Sequence, residues 1–518
     1  MDITKKFKRS ITALAASTAL MTAAMTPANL AHAADTPQIE WDLSDLYASA
    51  DAWEAERLRV LEEMKDIEAF KGKLGKDAST LLAAADKISK VQKEAVRLLV
   101  YAVLSADEDL RVSEKQERRS LAQSLLSSLS QATSFVSPEL IRVGSKKIEK
   151  FIAKEPGLAK HAFTLRDILR QEKYTLGEEA EGVLANAGDV LSGPGQIYGL
   201  MANASLPWPT VTLSTDEEVV LNQSAYTKYR AVSNREDRKL VFDTFWKAWK
   251  TYEAMFGATL ATHVQGHIFN AKSRGYANAL ASAVSGSNIP TEVYRTLVKA
   301  ANDNLPSMLK LRQRLLGLDD LHYYDIYPEV TALDRTFSID DAKEMTLVSL
   351  EPFGEKYLGH LREGFDGQWM HVFPQAGKRP GAYMFGSAYD VHPYLLLNYN
   401  GGFEDVSTFS HEWGHAVHTM LSRENQPYET SSYTTFTAEL ASTTNEVLLQ
   451  EHMLAKDLPD AERLYYIDRA LEGIRGTFFR QTMFAEFELR IHELAEKGEA
   501  LSGSKMTELY LELLRKYH

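Results

Sequence analysis

The sequence predicts a mainly α-helical protein with a small β-sheet set beside one unusual helix. Three observations predict it. Apolar residues recur at three- and four-residue spacing through residues 85–104 and 121–136, the period of amphipathic helices. Strand-like text is confined largely to residues 378–399. Directly after it, His411-Glu412-Trp413-Gly414-His415 lies in a stretch that reads as a helix. With 518 residues, 44% hydrophobic and 25% charged, the composition is that of a globular chain too long for one simple core.

The elements follow in order. Lys5, Lys6, Lys8 and Arg9 precede an uncharged apolar run over residues 11–25, and Ala31-His32-Ala33 supplies an A-x-A cleavage site. Residues 1–33 therefore read as a secretory signal peptide, short of the ~20 apolar residues a membrane span needs. The protein is expected to be exported, periplasmic or secreted, without stable membrane insertion after cleavage. From Trp41 to about Gly193 consecutive helices are expected, with Ser137-Pro138-Glu139 as a stop and restart. Gly193-Pro194-Gly195 and Pro207-Trp208-Pro209 read as breaks, which divides the chain into an N-terminal helical domain over residues 35–205 and a second domain over residues 206–518. Residues 211–213 and 219–221 flank Asp216-Glu217 as a short hairpin. Helices resume near Gln223 and run to Gly317, interrupted at residues 286–290. Residues 381–384 and 394–399 are strands, and Asp405-Val406-Ser407-Thr408 opens the motif helix with Asp405 or Ser407 as its cap.

Charge and cysteine usage narrow the chemistry. The net charge of −13 with no long basic run speaks against a nucleic-acid partner. With no cysteine there is no disulfide and no thiolate nucleophile, and a metal site is limited to His, Asp and Glu. No phosphate-binding glycine loop, dinucleotide fingerprint or G-x-S-x-G elbow occurs.

His411 and His415 project from one helix face about 6 Å apart along the axis, a spacing that grips one Zn2+, and Glu412 between them is placed to activate a zinc-bound water. With 14 His in the chain, such a motif arises by chance about 0.03 times. A catalytic site needs a third protein ligand. A His ten residues after His411 is excluded, because position 421 is Leu421 and position 418 is His418 where that class has Gly. The alternative is a Glu on a following helix. Residues 433–450 read as that helix, with Phe436, Leu440, Val447 and Leu448 as core, and Glu439 is the third ligand. Glu446, two turns on, is placed to accept the free N–H of a ligand His. His418 is read as packing beneath the site. His263-Val264-Gln265-Gly266-His267 repeats the i,i+4 pair without a Glu base or an evident third ligand, and is read as a structural or surface pair. Phe478, Phe479, Phe484 and Phe487 have core spacing.

These residues, with Phe436–Glu446, Gly377–Tyr383, His392–Tyr399, Tyr324-Asp325-Ile326-Tyr327 and the opening Trp41–Tyr47, resemble oligoendopeptidase F in the thimet-oligopeptidase family of gluzincin-type zinc peptidases. The resemblance implies an elongated helical zincin-like fold whose deep channel admits short peptides. It implies one Zn2+ held by His411, His415 and Glu439, with Glu412 as catalytic base. The expected function is a zinc-dependent endopeptidase acting on short oligopeptides. The alternatives are a dipeptidyl carboxypeptidase on the same scaffold and an inactive peptide- or zinc-binding remnant. The remnant reading arises because the sequence ends within a helical pattern at Leu511–His518, short of a further His- and Tyr-rich segment in the family pattern, and so reads as truncated there. Oligomeric state and cleavage preference are left open.

Overall fold

The long helix Ala78–Glu108 organises the N-terminal half, and its sequence shows why. Asp77 caps it by accepting the Thr80 N–H at 2.7 Å. Leu81, Ala84, Val91, Ala95, Leu98 and Ala102 then recur on one face and are buried against Trp53 and Val60 of helix Ala50–Lys65 and Leu125 and Leu129 of helix Ser113–Thr133. The computed structural model describes residues 39–328, 333, 335–375 and 377–518, and the expected leader at residues 1–33 lies outside them. Helix makes up 72% of the structure, which settles the class as mainly α. No helix among the described residues is long and apolar enough to cross a membrane.

Five short strands make two sheets. β1 (Thr210–Thr212) and β2 (Glu218–Val220) form the expected hairpin, with Val211 opposite Val219 and Asp216 in the left-handed region at the turn. β3 (Met370–His371), β4 (Tyr383–Phe385) and β5 (Tyr394–Leu396) are ordered β3-β5-β4, so β4 is an edge. β5 is buried throughout and pairs parallel to β3 and antiparallel to β4, with Met384 opposite Leu395. The sequence reading contained β4 and β5 and omitted β3, whose two residues are too few for a periodic signal.

The far end of the long helix reaches this sheet. Val100 and Leu104 are buried with Trp41, Leu46, Ala388, Tyr394 and Leu396. Asp107 at its last turn is fully buried and accepts from Arg119 at 3.1 Å, Arg379 at 3.0 Å and the Tyr383 hydroxyl at 2.8 Å. One buried carboxylate thus ties edge strand β4 to the N-terminal helices.

Two expectations about punctuation are corrected. Gly193-Pro194-Gly195 does not break a helix: Gly188–Leu200 runs straight through it. That helix packs on Glu253–Ser273, where Gly266 lets Leu191 approach so closely that an added methyl would sit 3.2 Å from its Cδ2. Tertiary packing here outweighs the lost N–H of Pro194. Helices between Gln223 and Leu316 are also interrupted more often than read, at 230–234, 251–252 and 274–278 as well as at 286–290.

Candidate zinc peptidase site

The motif helix spans Phe403–Asn425. It starts earlier than expected: Gly402 is the cap, and Asp405 inside the first turn accepts the Gly402 N–H at 2.9 Å. Ser407 is therefore helical rather than capping, and its hydroxyl turns to Glu446 at 3.3 Å. Phe403, Val406, Phe409, Trp413, Ala416 and Val417 are buried, which anchors one side of the helix and leaves His411 and His415 half-buried together on another. Their rings lie 4.9 Å apart and nearly perpendicular.

A 3-10 turn at Tyr428–Thr430 leads into the second helix, Thr435–Leu454. Side chains meet in opposing order along the two helices, Ser407 and His411 with Glu446, Ser410 with Asn445, and His415 with Glu439, so the pair is antiparallel. Gly414 permits the close approach: a Cβ there would lie 2.7 Å from the Ser442 Cα and 3.1 Å from the Ala441 carbonyl oxygen. Asn445 locks the register, donating to the Ser410 carbonyl at 2.9 Å while accepting from the Tyr357 hydroxyl at 2.9 Å.

This packing corrects the expected core of the second helix. Phe436, Leu440 and Val447 are 69%, 72% and 50% exposed, while Ser442, Asn445, Leu449 and Met453 are buried. The helix buries its small and polar face because Gly414 admits only small groups at van der Waals distance. Phe478 is likewise 37% exposed, whereas Phe479 is buried and Phe484 and Phe487 are partly so.

The result is a convergence of donors. Glu439 Oε2 lies 3.2 Å from His411 Nε2 and 3.3 Å from His415 Nε2. Two ligand atoms of one tetrahedral Zn2+, each at about 2.0–2.1 Å, are separated by about 3.4 Å, so these three side chains fit that ion. Ser442 steadies Glu439, donating to Oε2 at 3.0 Å. The other nitrogen of His411, Nδ1, lies 2.6 Å from Glu446 Oε1, which holds the ring with Nε2 toward the shared point. Glu412 is only 6% exposed. Burial pushes its carboxyl up to about 7 in the metal-free site, helped by Glu439 and Glu446 and opposed by His411 and the Met384 N–H of β4. Burial also holds His415 below the ordinary imidazole range, favouring the neutral form that binds metals.

His418 stands outside this set, stacked on Tyr433 with ring centroids 3.9 Å apart. His263 and His267 are not part of it either. Among the described residues one other group has metal-ligand composition, Asp86, His161 and Glu429. The Lys160 ammonium already lies 2.9 Å from Asp86 and 3.3 Å from Glu429, so that group is an ion-pair network. Sequence reasoning missed Gly414, Ser442, Asn445 and the Met384 backbone. A glycine between the two motif histidines, in the middle of a helix, was the available signal for close packing.

The model of peptidase family M3 matches residues 229–518, a span containing both helices and the sheet. The chain belongs to peptidase family M3. The oligopeptidase F model matches residues 139–207 of this M3 peptidase. It is 35% identical to oligopeptidase PepF of Bacillus subtilis over 92% of this chain and 72% of the relative. To group B oligopeptidase PepB of Streptococcus agalactiae it is 33% identical, over 92% of this chain and 80% of that one. The crystal structure of oligoendopeptidase-F from Enterococcus faecium superposes with a TM-score of 0.71 at 30% identity, covering 90% of this chain and 79% of that one.

Two predictions arise from the M3 peptidase's helix pair. Gly414→Ala gains about 1 kcal/mol of intrinsic helix propensity but drives a methyl into the Ser442 backbone, where overpacking costs about 1–3 kcal/mol. The expected net result is a lower melting temperature, and an unchanged or raised one overturns the close-packing argument. Glu446→Gln is expected to weaken zinc affinity about 10–100-fold by removing the charge on His411 Nδ1, measured by competition with a chromogenic chelator. Equal affinity in the variant rejects that role.

Proposed function

We propose that this M3 peptidase is a zinc-dependent endopeptidase that hydrolyses short peptides, with His411, His415 and Glu439 holding one Zn2+ and Glu412 as the catalytic base. The observation that carries the reading is the meeting of His411 Nε2, His415 Nε2 and Glu439 Oε2 beside the buried Glu412. When bound, Zn2+ supplies Lewis-acid chemistry, polarising a carbonyl and making water more acidic.

The protein's own groups do the rest. Glu412 takes a proton from the attacking water as its oxygen bonds to the scissile carbonyl carbon. It then delivers that proton to the amine nitrogen as the C–N bond breaks, which returns the carboxylate to its starting state. Its burial supports this double role, because a carboxyl held out of bulk water exchanges the proton with the reacting groups rather than with solvent. The Met384 N–H orients Glu412 from edge strand β4, and the same edge is the natural place for an extended peptide to add as a further strand. His411 is kept in its ligating orientation by Glu446. Export through the segment at residues 1–33 belongs to the same proposal, and fractionation of the producing cells tests it.

The deciding experiment uses a C-terminally amidated decapeptide with an internal fluorophore–quencher pair. Internal cleavage is expected, lost on treatment with a zinc chelator and restored by one equivalent of Zn2+. Hydrolysis that survives complete zinc removal overturns the zinc reading. Cleavage confined to dipeptides released from a free C-terminus replaces the endopeptidase with a dipeptidyl carboxypeptidase.

A further inference from the structure

A fully buried carboxylate is costly unless charged or polar donors surround it. Asp107, in the last turn of helix Ala78–Glu108, meets that need with donors from the segment that enters strand β4. One carboxylate oxygen takes Arg119 at 3.1 Å. The other takes Arg379 Nη1 at 3.0 Å and the Tyr383 hydroxyl at 2.8 Å. The backbone adds to the hold. The Arg379 N–H donates to the Asp107 carbonyl at 2.9 Å, and the Leu110 N–H donates to the Gly377 carbonyl at 2.8 Å. The chain is therefore fastened to the end of an N-terminal helix just as β4 begins.

The other end of β4 is fastened to the motif helix. The Gly386 carbonyl accepts from Arg423, which also donates to the Val391 carbonyl. A Cβ on Gly386 would lie 2.9 Å from the Thr419 Cγ2. Thr419 and Arg423 stand on the same helix as His411 and Glu412. Between the two fastenings lie Tyr383, Met384 and Phe385, and the motif helix packs against them. Met384, in the middle, presents its N–H to Glu412. Successive Cα atoms are about 3.8 Å apart, so a shift of the Tyr383 anchor is passed almost directly to the Met384 N–H. The remaining restraint is the three-residue ladder to β5.

We propose that Asp107 is a positioning residue for the peptidase centre. By holding Tyr383 and Arg379 it sets where β4 lies against the motif helix. That fixes the Met384 N–H on Glu412 and the edge along which an extended peptide adds. The N-terminal helices, which carry none of the candidate zinc ligands, thereby govern the geometry of hydrolysis. This inference rests on the peptidase reading. A bond serving stability alone would change the melting temperature and leave the strand and the turnover as they are, and the experiment separates the two.

Tyr383→Phe keeps the ring and removes only the bond to Asp107, and Asp107→Asn keeps the volume and removes the charge. Tyr294→Phe is the control, because its hydroxyl bonds the Ala485 carbonyl at 2.8 Å between two other helices. Hydrogen–deuterium exchange over residues 381–387, read by mass spectrometry on the zinc-loaded full-length chain, follows the strand without requiring turnover. Exchange there is expected to quicken in Tyr383→Phe and Asp107→Asn and to keep the parent rate in the control. On a short internally quenched peptide, well below the melting temperature, kcat/KM of Tyr383→Phe is expected to fall about 10–100-fold, as a misplacement of about 1 Å at a reacting group does. One equivalent of Zn2+ should stay bound. Should Asp107→Asn not fold, Tyr383→Phe decides alone. Parent-like exchange in Tyr383→Phe overturns the proposal, and so does faster exchange with kcat and KM at parent values, or an equal loss in Tyr294→Phe. A parent that hydrolyses nothing while the exchange changes as expected sinks the peptidase reading and leaves the hold of Asp107 on β4 standing.

Discussion

Glu412→Gln is expected to reduce kcat for peptide hydrolysis by at least about 10²–10⁴-fold while leaving one equivalent of Zn2+ bound. Gln keeps the volume of the side chain and its ability to accept the Met384 N–H, so the fold and the ligand set are undisturbed. What it lacks is a lone pair basic enough to take the water's proton. The proposal also fixes the pH dependence. Glu412 must be ionised to act as a base, so kcat/KM falls toward acid. Its metal-free position near 7 marks the upper bound of that limb, because a nearby dication favours the carboxylate. Stability of the metal-free chain runs the other way. The folded-state position lies above the ordinary 4.5, so burying the ionised group opposes folding, and stability is lost as pH rises from about 4.5 through about 7. Glu412→Gln removes that penalty, and the metal-free variant should melt higher than the parent at pH 8. Parent-like turnover in the variant rejects Glu412 as base, whereas loss of zinc along with turnover shows that the substitution has damaged the site.

Asp325→Ala is expected to cost about 3–5 kcal/mol of stability, the largest effect outside the site. Asp325 is fully buried in a short 3-10 turn, Tyr323–Asp325. Its carboxylate takes Arg238 Nη2 at 3.0 Å and Arg235 at 2.8 and 3.0 Å, all on helix Arg235–Lys250. Arg238 is itself buried, so removing Asp325 strands a buried guanidinium. Bonds from Arg238 to the carbonyls of Val232, Ser233 and Tyr324 soften the loss and place the expected value at the lower end. Burial alone would raise Asp325, but the two arginines and the His322 N–H outweigh it and hold the carboxyl below 3.8. Its stabilisation is therefore complete above that ordinary value and is lost only as pH falls through the lowered one. Urea denaturation at neutral pH is the measurement, with Asp320→Ala as control. Asp320 is exposed and meets the same Arg235 at 3.3 Å, so its loss should cost under about 1 kcal/mol. Equal effects for the two variants overturn the argument from burial.

The candidate zinc ligand set was legible in the sequence because its logic is helical. His411 and His415 are separated by one turn and Glu439 and Glu446 by two, so each pair shares a face wherever the helices end up. The sheet was partly legible, since β4 is a short apolar run between Gly381 and Gly386 and β5 one between Pro393 and Asn398, whereas two-residue β3 exists only through its pairing with β5. Phe436, Leu440 and Val447 misled because hydrophobicity normally marks the buried face. At this interface the demand for close approach at Gly414 overrode it.

By itself the sequence determined the mainly helical class, the candidate residues for zinc chemistry, and which faces those residues share. These are local matters, settled by spacing along one chain segment. Only the tertiary structure decided that the two candidate ligand helices run antiparallel with Gly414 against Ser442, that Asp107 of a distant helix steadies β4, and that His492 meets His267. Each of these depends on how separate elements pack, and close-packing of their surfaces sets those distances to a few tenths of an ångström in a way no periodicity encodes.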